Sequence, residues 1–426
     1  MDTDKKKSLF GWLLLLFISI IYYFSNLQKV LVPGATFNEL QQAFNVDAAQ
    51  VTRLGAAFMY VYAFMQLATG LLADRFSGAR VIAVGGLVFC VGSLLSASDK
   101  SLHLLFFSRL LTGFGAATIY LSAVKEIGRI VPNSLPIFIG ILTIIGYSGG
   151  ITGTSPFITG VHKFGYSPMM LAAGVGLAVA FALYLAVLCF TPLPPVCKDV
   201  KFNPKAYIDV LKVPHNRNQF TAIGICFGTY FAMQSVIGKK FLEDFCGMST
   251  AAASNVLLAT MIIAAVNSFI VAYLSKWCGE KRLPFLRFGG IGGLVSSAML
   301  LVAVMFNLRT PWLAVAAMVL MAFAGNISSM NVAALREAND EKCFGTVMSV
   351  SNFTAYLVTA IFGGCTGKLM DIFPPTIIDG VKIYGQKSYL LIFSVLMFLS
   401  IVATITTMLL KETHCNSVKN PVPTVV

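Results

Sequence analysis

Arg109 stands in the middle of apolar sequence, about a third of the way into the run 102–124 and roughly 10 Å deep at 1.5 Å per helical residue. A guanidinium at that depth in lipid has to face a protein interior and be paired or hydrated. Lys29 follows Tyr22, Tyr23, Asn26 and Gln28 near the end of another apolar run. It is close enough to the surface to snorkel, so a surface anchor and a solute ligand both fit. Tyr60, Tyr62, Gln66, Tyr147, Tyr230, Gln234, Asn267, Asn326, Asn331, Asn352 and Tyr356 are neutral polar groups inside apolar runs. Each can bond a neighbouring helix or a solute. Fixed cations in a cavity without anions favour a carboxylate-bearing solute such as an organic acid, amino acid or short peptide.

The 18 acidic residues fall in loops, tails or the ends of apolar runs, which disfavours symport driven by a mid-membrane carboxylate. The nearest exception is Glu126, beside Lys125, which is the coupling candidate. Nine cysteines are scattered and odd in number, and His103, His162, His215 and His414 lie near run ends or in loops. No disulfide framework, metal site or cofactor is expected from them. With no nucleophile–base pair and no phosphate loop, an enzyme is not expected either.

The elements that position these groups are twelve apolar stretches, each about the 20 residues a bilayer requires. They run over 9–33, 51–73, 81–97, 102–124, 134–158, 167–190, 217–238, 251–274, 284–306, 311–333, 345–367 and 388–410. A composition of 57% hydrophobic and 12% charged residues, with a mean hydropathy of +0.79, agrees with a membrane protein. With the N-terminus inside, 20 lysines and arginines fall in inner segments and 10 in outer ones, so both termini are expected in the cytoplasm. The net charge of +13 is spread over many loops beside anionic lipid headgroups, so no nucleic-acid partner is needed to explain it. Lys5, Lys6 and Lys7 precede a run of full spanning length without a cleavage pattern, and that run serves as its own insertion signal.

The chain divides evenly. Gly149-Gly150-Ile151-Thr152-Gly153 in span 5 is echoed 214 residues later by Gly363-Gly364-Cys365-Thr366-Gly367 in span 11. Gly113-Phe114-Gly115-Ala116 in span 4 has a looser echo in Ala322-Phe323-Ala324-Gly325 of span 10. A six-helix unit used twice follows: a bundle over 1–190, a basic, proline-led linker over 191–216, and a second bundle over 217–426 with a short tail.

The turn after span 2, Gly70-Leu71-Leu72-Ala73-Asp74-Arg75-Phe76-Ser77-Gly78-Ala79-Arg80, resembles the signature of the major facilitator superfamily between its second and third helices. Arg109-Leu110-Leu111-Thr112-Gly113-Phe114-Gly115 is similar to the superfamily's fourth-helix pattern. The resemblance covers the whole chain and implies an all-α membrane protein of twelve transmembrane helices in two pseudo-symmetric six-helix bundles. Ser77 stands where the loop glycine usually is. In the second-half counterpart, Leu274 to Arg282, Lys276 replaces the acidic residue, which weakens or removes a second latch. Span 5 lacks the Gly-Pro pair that accompanies drug and proton antiport in the superfamily.

Asp74 at a helix end can face the positive N-terminus of another helix, with Gly345 at the start of span 11 the candidate, while Gly70, Arg75 and Arg80 complete a cytoplasmic gate. Arg75 and Arg80 also fit simple inner-surface anchors. The functional expectation is a monomeric secondary carrier in a cell inner membrane. It moves a small polar solute by alternating access, with Arg109, Lys29, Asn26, Tyr60, Gln66, Tyr147, Asn326, Asn352 and Tyr356 as solute-binding candidates. A multidrug or lipid exporter is the second reading, and a transporter-like sensor the third.

Overall fold

A segment crossing lipid has to satisfy every backbone amide internally, so each long apolar run has one economical solution, the helix. The computed structural model describes residues 2–97, 101–196, 204–340, 343–378 and 381–413. Twelve helices among these are long and apolar enough to cross a membrane: Leu9–Ala35, Ala48–Phe76, Gly78–Leu95, Leu102–Ile130, Ile137–Phe164, Tyr166–Leu188, Pro214–Asp244, Thr250–Trp277, Leu283–Met305, Pro311–Ala338, Phe344–Met370 and Gln386–Met408. They are spans 1 to 12. Lys100, Cys197, Lys198, Lys201, Lys342, His414, Cys415 and Lys419, with the side chains of Lys5 to Lys7, lie outside the described residues.

Spans 4, 5 and 7 run six residues past the limits expected from hydropathy. The extra turns bury apolar side chains, Ile127 in span 4, Val161 in span 5 and Phe241 with Leu242 in span 7, and two of them add charge pairs. Arg129 pairs with Glu126 at 2.6 Å in span 4, and Lys240 with Asp244 at 2.9 Å in span 7, the spacings at which helical side chains meet.

The chain forms two compact units, Met1–Thr36 with Ala57–Phe202, and Phe37–Ala56 with Asn203–Val426. Residues Phe37–Ala56, which an even division leaves in the first half, therefore group with the second unit. They include a short helix, Phe37–Phe44. The second unit also carries a two-stranded antiparallel hairpin, Thr376–Ile378 with Val381–Ile383, in a segment that reads as loop from sequence.

The units share irregularities as well as helices. Span 4 breaks at Thr118 and span 10 at Asn326 and Ile327. Spans 1 and 7 each loosen into a wider π-type turn, Leu31–Ala35 and Met233–Ile237. In span 1 the cause is Pro33, which lacks an N–H and pushes Val32 out of helical geometry to φ −124°, ψ 118°. In span 7 the absent side chain of Gly238 makes room, since a Cβ there would lie 2.3 Å from the Met233 carbonyl oxygen.

Close approach of spans 1 and 5 depends on Gly149, where a Cβ would meet the Tyr23 carbonyl oxygen at 2.1 Å, whereas Gly140 of the same span faces open space. Gly149→Ala is expected to destabilise the protein by about 1–3 kcal/mol, as overpacking does, and Gly140→Ala to be neutral. Thermal unfolding of the two purified variants in one detergent checks this; equal melting temperatures would contradict it.

Candidate functional site

Within the first unit, spans 1 and 2 bring a group of polar side chains together in apolar surroundings. Lys29 is 2% exposed, so it does not snorkel. Its ammonium donates to the Tyr62 hydroxyl at 3.0 Å and to Asn26 Oδ1 at 3.4 Å, and lies 4.3 Å from the centre of the Tyr62 ring. Gln66 follows Tyr62 by four residues, hence on the same helical face; it is buried, and its Nε2 has no hydrogen-bond partner among the described residues. Gly146 of span 5 approaches this group closely, because a Cβ there would lie 2.4 Å from the Tyr22 ring and 2.9 Å from Asn26 Nδ2. The Tyr22 and Tyr120 rings pack obliquely, 5.4 Å between centres and tilted by 32°. Tyr147, beside Gly146, is half-buried, and Tyr60 is exposed.

Arg109 is placed differently from a solute-facing cation. It is fully buried, and its guanidinium donates to the Gln28 carbonyl at 3.2 Å, the Gln28 side-chain oxygen at 3.4 Å and the Val32 carbonyl at 3.1 Å. Its carbon lies 4.5 Å from the centre of the Phe58 ring. The break at Pro33 leaves carbonyls of span 1 without helical donors, and Arg109 supplies them. The residue therefore positions the segment that carries Lys29.

In the second unit, Asn326 marks the break in span 10. Its amide donates to the Ala322 carbonyl at 2.8 Å, and Asn267 of span 8 donates to the carbonyls of Phe323 and Asn326. Tyr356 packs edge-on against Phe227 and Phe231, with ring centres 5.6 and 6.3 Å away, and Asn352 one turn earlier is half-buried. Tyr230, Met233, Gln234, Thr260, Met318 and Met321 enclose only about 10 Å³, room for a single water at most.

At the opposite end of the first unit, Asp74 is exposed and pairs with Lys125, while Arg75 stacks on the Phe76 ring. Arg80 donates to the carbonyls of Phe76 and Pro194, so it pins the start of the linker. Gly70 is half-buried within span 2. The carboxylate that meets a helix N-terminus here is Glu126: buried, it accepts from Ala79 N at 2.9 Å at the start of span 3 and pairs with Arg129.

The second unit has a counterpart that its turn sequence conceals. Arg282 pairs with Glu337 at 2.9 Å, and Glu412 accepts from Arg282 N and Leu283 N at the start of span 9. Glu337 follows Glu126 by 211 residues, within the repeat spacing, so the acid missing at Lys276 comes from the end of span 10 and from beyond span 12. The expectation of a weakened network in the second half is corrected to that extent.

Charges at the other end of the second unit went unread in the sequence. Lys239 and Lys240, which look like surface anchors, are buried. Lys240 pairs with Asp244, which also accepts from the Tyr389 hydroxyl at 2.9 Å and from Tyr384 N at 3.0 Å. The Tyr384 hydroxyl is held well above the usual phenol range by burial and by its bond to Asp371, so it remains a donor. Alternating Lys-Lys-x-x-Glu-Asp spacing was the available signal, because each pair is four residues apart.

The sequence profile of the Major Facilitator Superfamily matches residues 12–364. The chain belongs to this superfamily. Among curated proteins, the riboflavin transporter RibZ of Clostridioides difficile (strain 630) is 25% identical over 43% of the chain, and the 4-hydroxybenzoate transporter PcaK of Pseudomonas putida is 27% identical over 42%. In each case the chain spans about 40% of the relative's length. Solved superfamily folds align over nearly the whole chain. A crystal structure of the nucleoside transporter NupG matches with TM-score 0.68 at 14% identity, covering 93% of this chain and 99% of that one. A POT family transporter in complex with 5-aminolevulinic acid matches with TM-score 0.73 at 14% identity, covering 93% and 94%. A bacterial homologue of the lysosomal transporter Spinster, inward-facing and unoccupied, matches with TM-score 0.71 at 16% identity, covering 95% and 96%. At these identities the structural likeness establishes the superfamily fold alone.

Arg109→Gln removes several donors from buried carbonyls, each costing about 1–3 kcal/mol if left unsatisfied. It should therefore lower melting temperature and yield, while Arg309→Gln, at an exposed residue bonded only locally to Asn307, should change neither. Fluorescence-detected size exclusion after graded heating measures both. Glu126→Gln should also lower stability, because the Arg129 guanidinium and the start of span 3 lose their anion, and the same heating series reads it.

Proposed function

We propose that the protein is a secondary carrier that moves a small, polar, carboxylate-bearing solute by rocking its two six-helix bundles. The observation that carries this reading is the donor cluster on spans 1 and 2. The buried Lys29 ammonium donates to Tyr62 and Asn26, and the buried Gln66 amide nitrogen has no partner among the described residues. A carboxylate fits such a set, because it accepts from several donors at once and forms strong charge-assisted bonds with an ammonium. Arg109 acts here by positioning span 1.

Two relatives agree with the substrate class. PcaK is a 4-hydroxybenzoate transporter, and the POT family structure contains 5-aminolevulinic acid, both carboxylic acids. RibZ and NupG are described for riboflavin and nucleosides, which share polar ring systems rather than a carboxylate. In the second unit the Phe227 and Phe231 rings stack and Tyr356 packs edge-on against both, an aromatic cluster. That cluster favours an aromatic or partly apolar solute, and it is the feature on which an exporter of larger apolar compounds would rest.

The charge asymmetry of the loops supports both termini in the cytoplasm, which puts Asp74, Glu126 and Glu337 at the cytoplasmic end, and outer loops without an N-glycosylation pattern favour a cell inner membrane. In the same reading the carrier acts as a monomer, without enzymatic activity or nucleic-acid partner. Glu126 is tied to Ala79 N and Arg129, so coupling through it requires breaking a buried pair.

A thermal-shift screen of purified protein against small carboxylates, beginning with 4-hydroxybenzoate and 5-aminolevulinate, tests the reading. A ligand at 100 times its dissociation constant stabilises by about 2.7 kcal/mol, enough for a clear shift. The shift should disappear in Lys29→Ala and Gln66→Leu, with each apo protein still folded. Stabilisation by uncharged aromatic compounds alone, unchanged in Lys29→Ala, would favour the exporter.

A further inference from the structure

Residues Phe37–Ala56 group with the second unit, yet the chain enters them from Thr36 and leaves them at Ala57, both in the first unit. Their attachments within the second unit are specific. Asn38 Nδ2 donates to Glu243 Oε2 at 2.8 Å, and the buried Lys239 ammonium lies 3.8 Å from Glu39. At the other end of the segment, Ala48 N and Ala49 N, the first amides of span 2, donate to the two carboxylate oxygens of Asp371 at 3.2 and 2.7 Å. The Tyr384 hydroxyl donates to Asp371 at 2.8 Å and accepts from Ala48 N at 3.2 Å.

Span 2 has a local candidate for its own cap. Asp47 directly precedes the helix and is a favoured capping residue. Its carboxylate is instead paired with Lys382 at 2.5 Å, and the capping anion comes from 323 residues further along the chain. Asp371 follows Met370, the last residue of span 11, as Asp74 stands at the C-terminal end of span 2. One carboxylate thus sits at each end of span 2, and here Asp371 is engaged with its N-terminus while Asp74 is occupied by Lys125.

We propose that Phe37–Ala56 is an outer strap and that Asp371 is its clasp, closed in this structure and released when the carrier opens outward. Because both ends of the strap continue into helices of the first unit, rocking of that unit pulls on it. Releasing the cap exposes the amides of Ala48 and Ala49 to water rather than to lipid, so the clasp is reversible. Twin charge-assisted bonds to a helix start are nonetheless strong enough to bias the two states.

The strap rests on the alternating-access reading, so its test uses thiol labelling, which requires no transported substrate. Asn38→Cys and Glu243→Cys are combined with an Asn26→Cys reporter in a full-length chain whose native cysteines are serine, in right-side-out proteoliposomes. Oxidation joins the strap to span 7, and a membrane-impermeant maleimide added outside is then located by peptide mass spectrometry. Reporter labelling should slow by at least about tenfold while the disulfide holds and recover on reduction, because a covalent tie removes the released state from the ensemble. Independently, Asp371→Asn should speed outside labelling of the reporter about tenfold, with Asp371→Glu restoring the slower rate. Unchanged labelling with the disulfide intact, or in Asp371→Asn, overturns the strap and leaves alternating access standing. A reporter labelled from inside but never from outside, even in the reduced protein, overturns both.

Discussion

A polar group facing lipid has no water to bond, and that constraint governs how this protein is assembled. It turns apolar runs into helices, and it requires that every break in a helix find donors elsewhere. The break in span 1 shows the consequence most clearly. Pro33 removes an amide and displaces Val32, carbonyls are left open, and the buried guanidinium of Arg109 reaches from span 4 to close them. The same contact sets the orientation of the turn that carries Lys29 and Asn26. The polar cluster proposed to bind solute is thus a by-product of a repaired helix.

The second unit solves the same problem with neutral groups. Asn267 satisfies carbonyls at the break in span 10, and Gln234 joins spans 7 and 8 through the Leu257 carbonyl and the Thr260 hydroxyl. One bundle therefore presents a fixed cation and the other aromatic and amide surfaces, although their helices repeat.

Charge is handled at the ends of the helices. Glu126, Glu337 and Glu412 each stabilise a helix start or an arginine in the region of the short turns between spans 2 and 3 and spans 8 and 9. At the opposite end of the second unit, the buried Lys240, Asp244 and Tyr384 and the half-buried Asp371 form a set around the hairpin and the start of span 2. Helix N-termini are positive and short of partners, so carboxylates collect there. These bonds are individually weaker than the packing of the apolar helices, and regions held by such bonds are the ones able to change partners without unfolding a bundle.

Much of this was legible in the sequence by itself. Run length and hydropathy determined twelve spans, because a bilayer admits few alternatives, and the repeated glycine patterns with the turn at Asp74 pointed to the superfamily. Lys29, Asn26, Gln66 and Gly146 lay in spans 1, 2 and 5 of one bundle, so their meeting was compatible with the pattern. Periodicity alone did not show which of many polar residues would meet. Only the tertiary structure separated Lys29, bonded to Tyr62 and Asn26, from Arg109, committed to backbone carbonyls, because that depends on where a proline break falls opposite a guanidinium. Only it moved Phe37–Ala56 to the second unit and supplied a cap for Ala48 from Asp371. The physical reason is range: hydropathy and helix periodicity act over one or two turns, whereas the partner of a buried charge can lie more than 300 residues away.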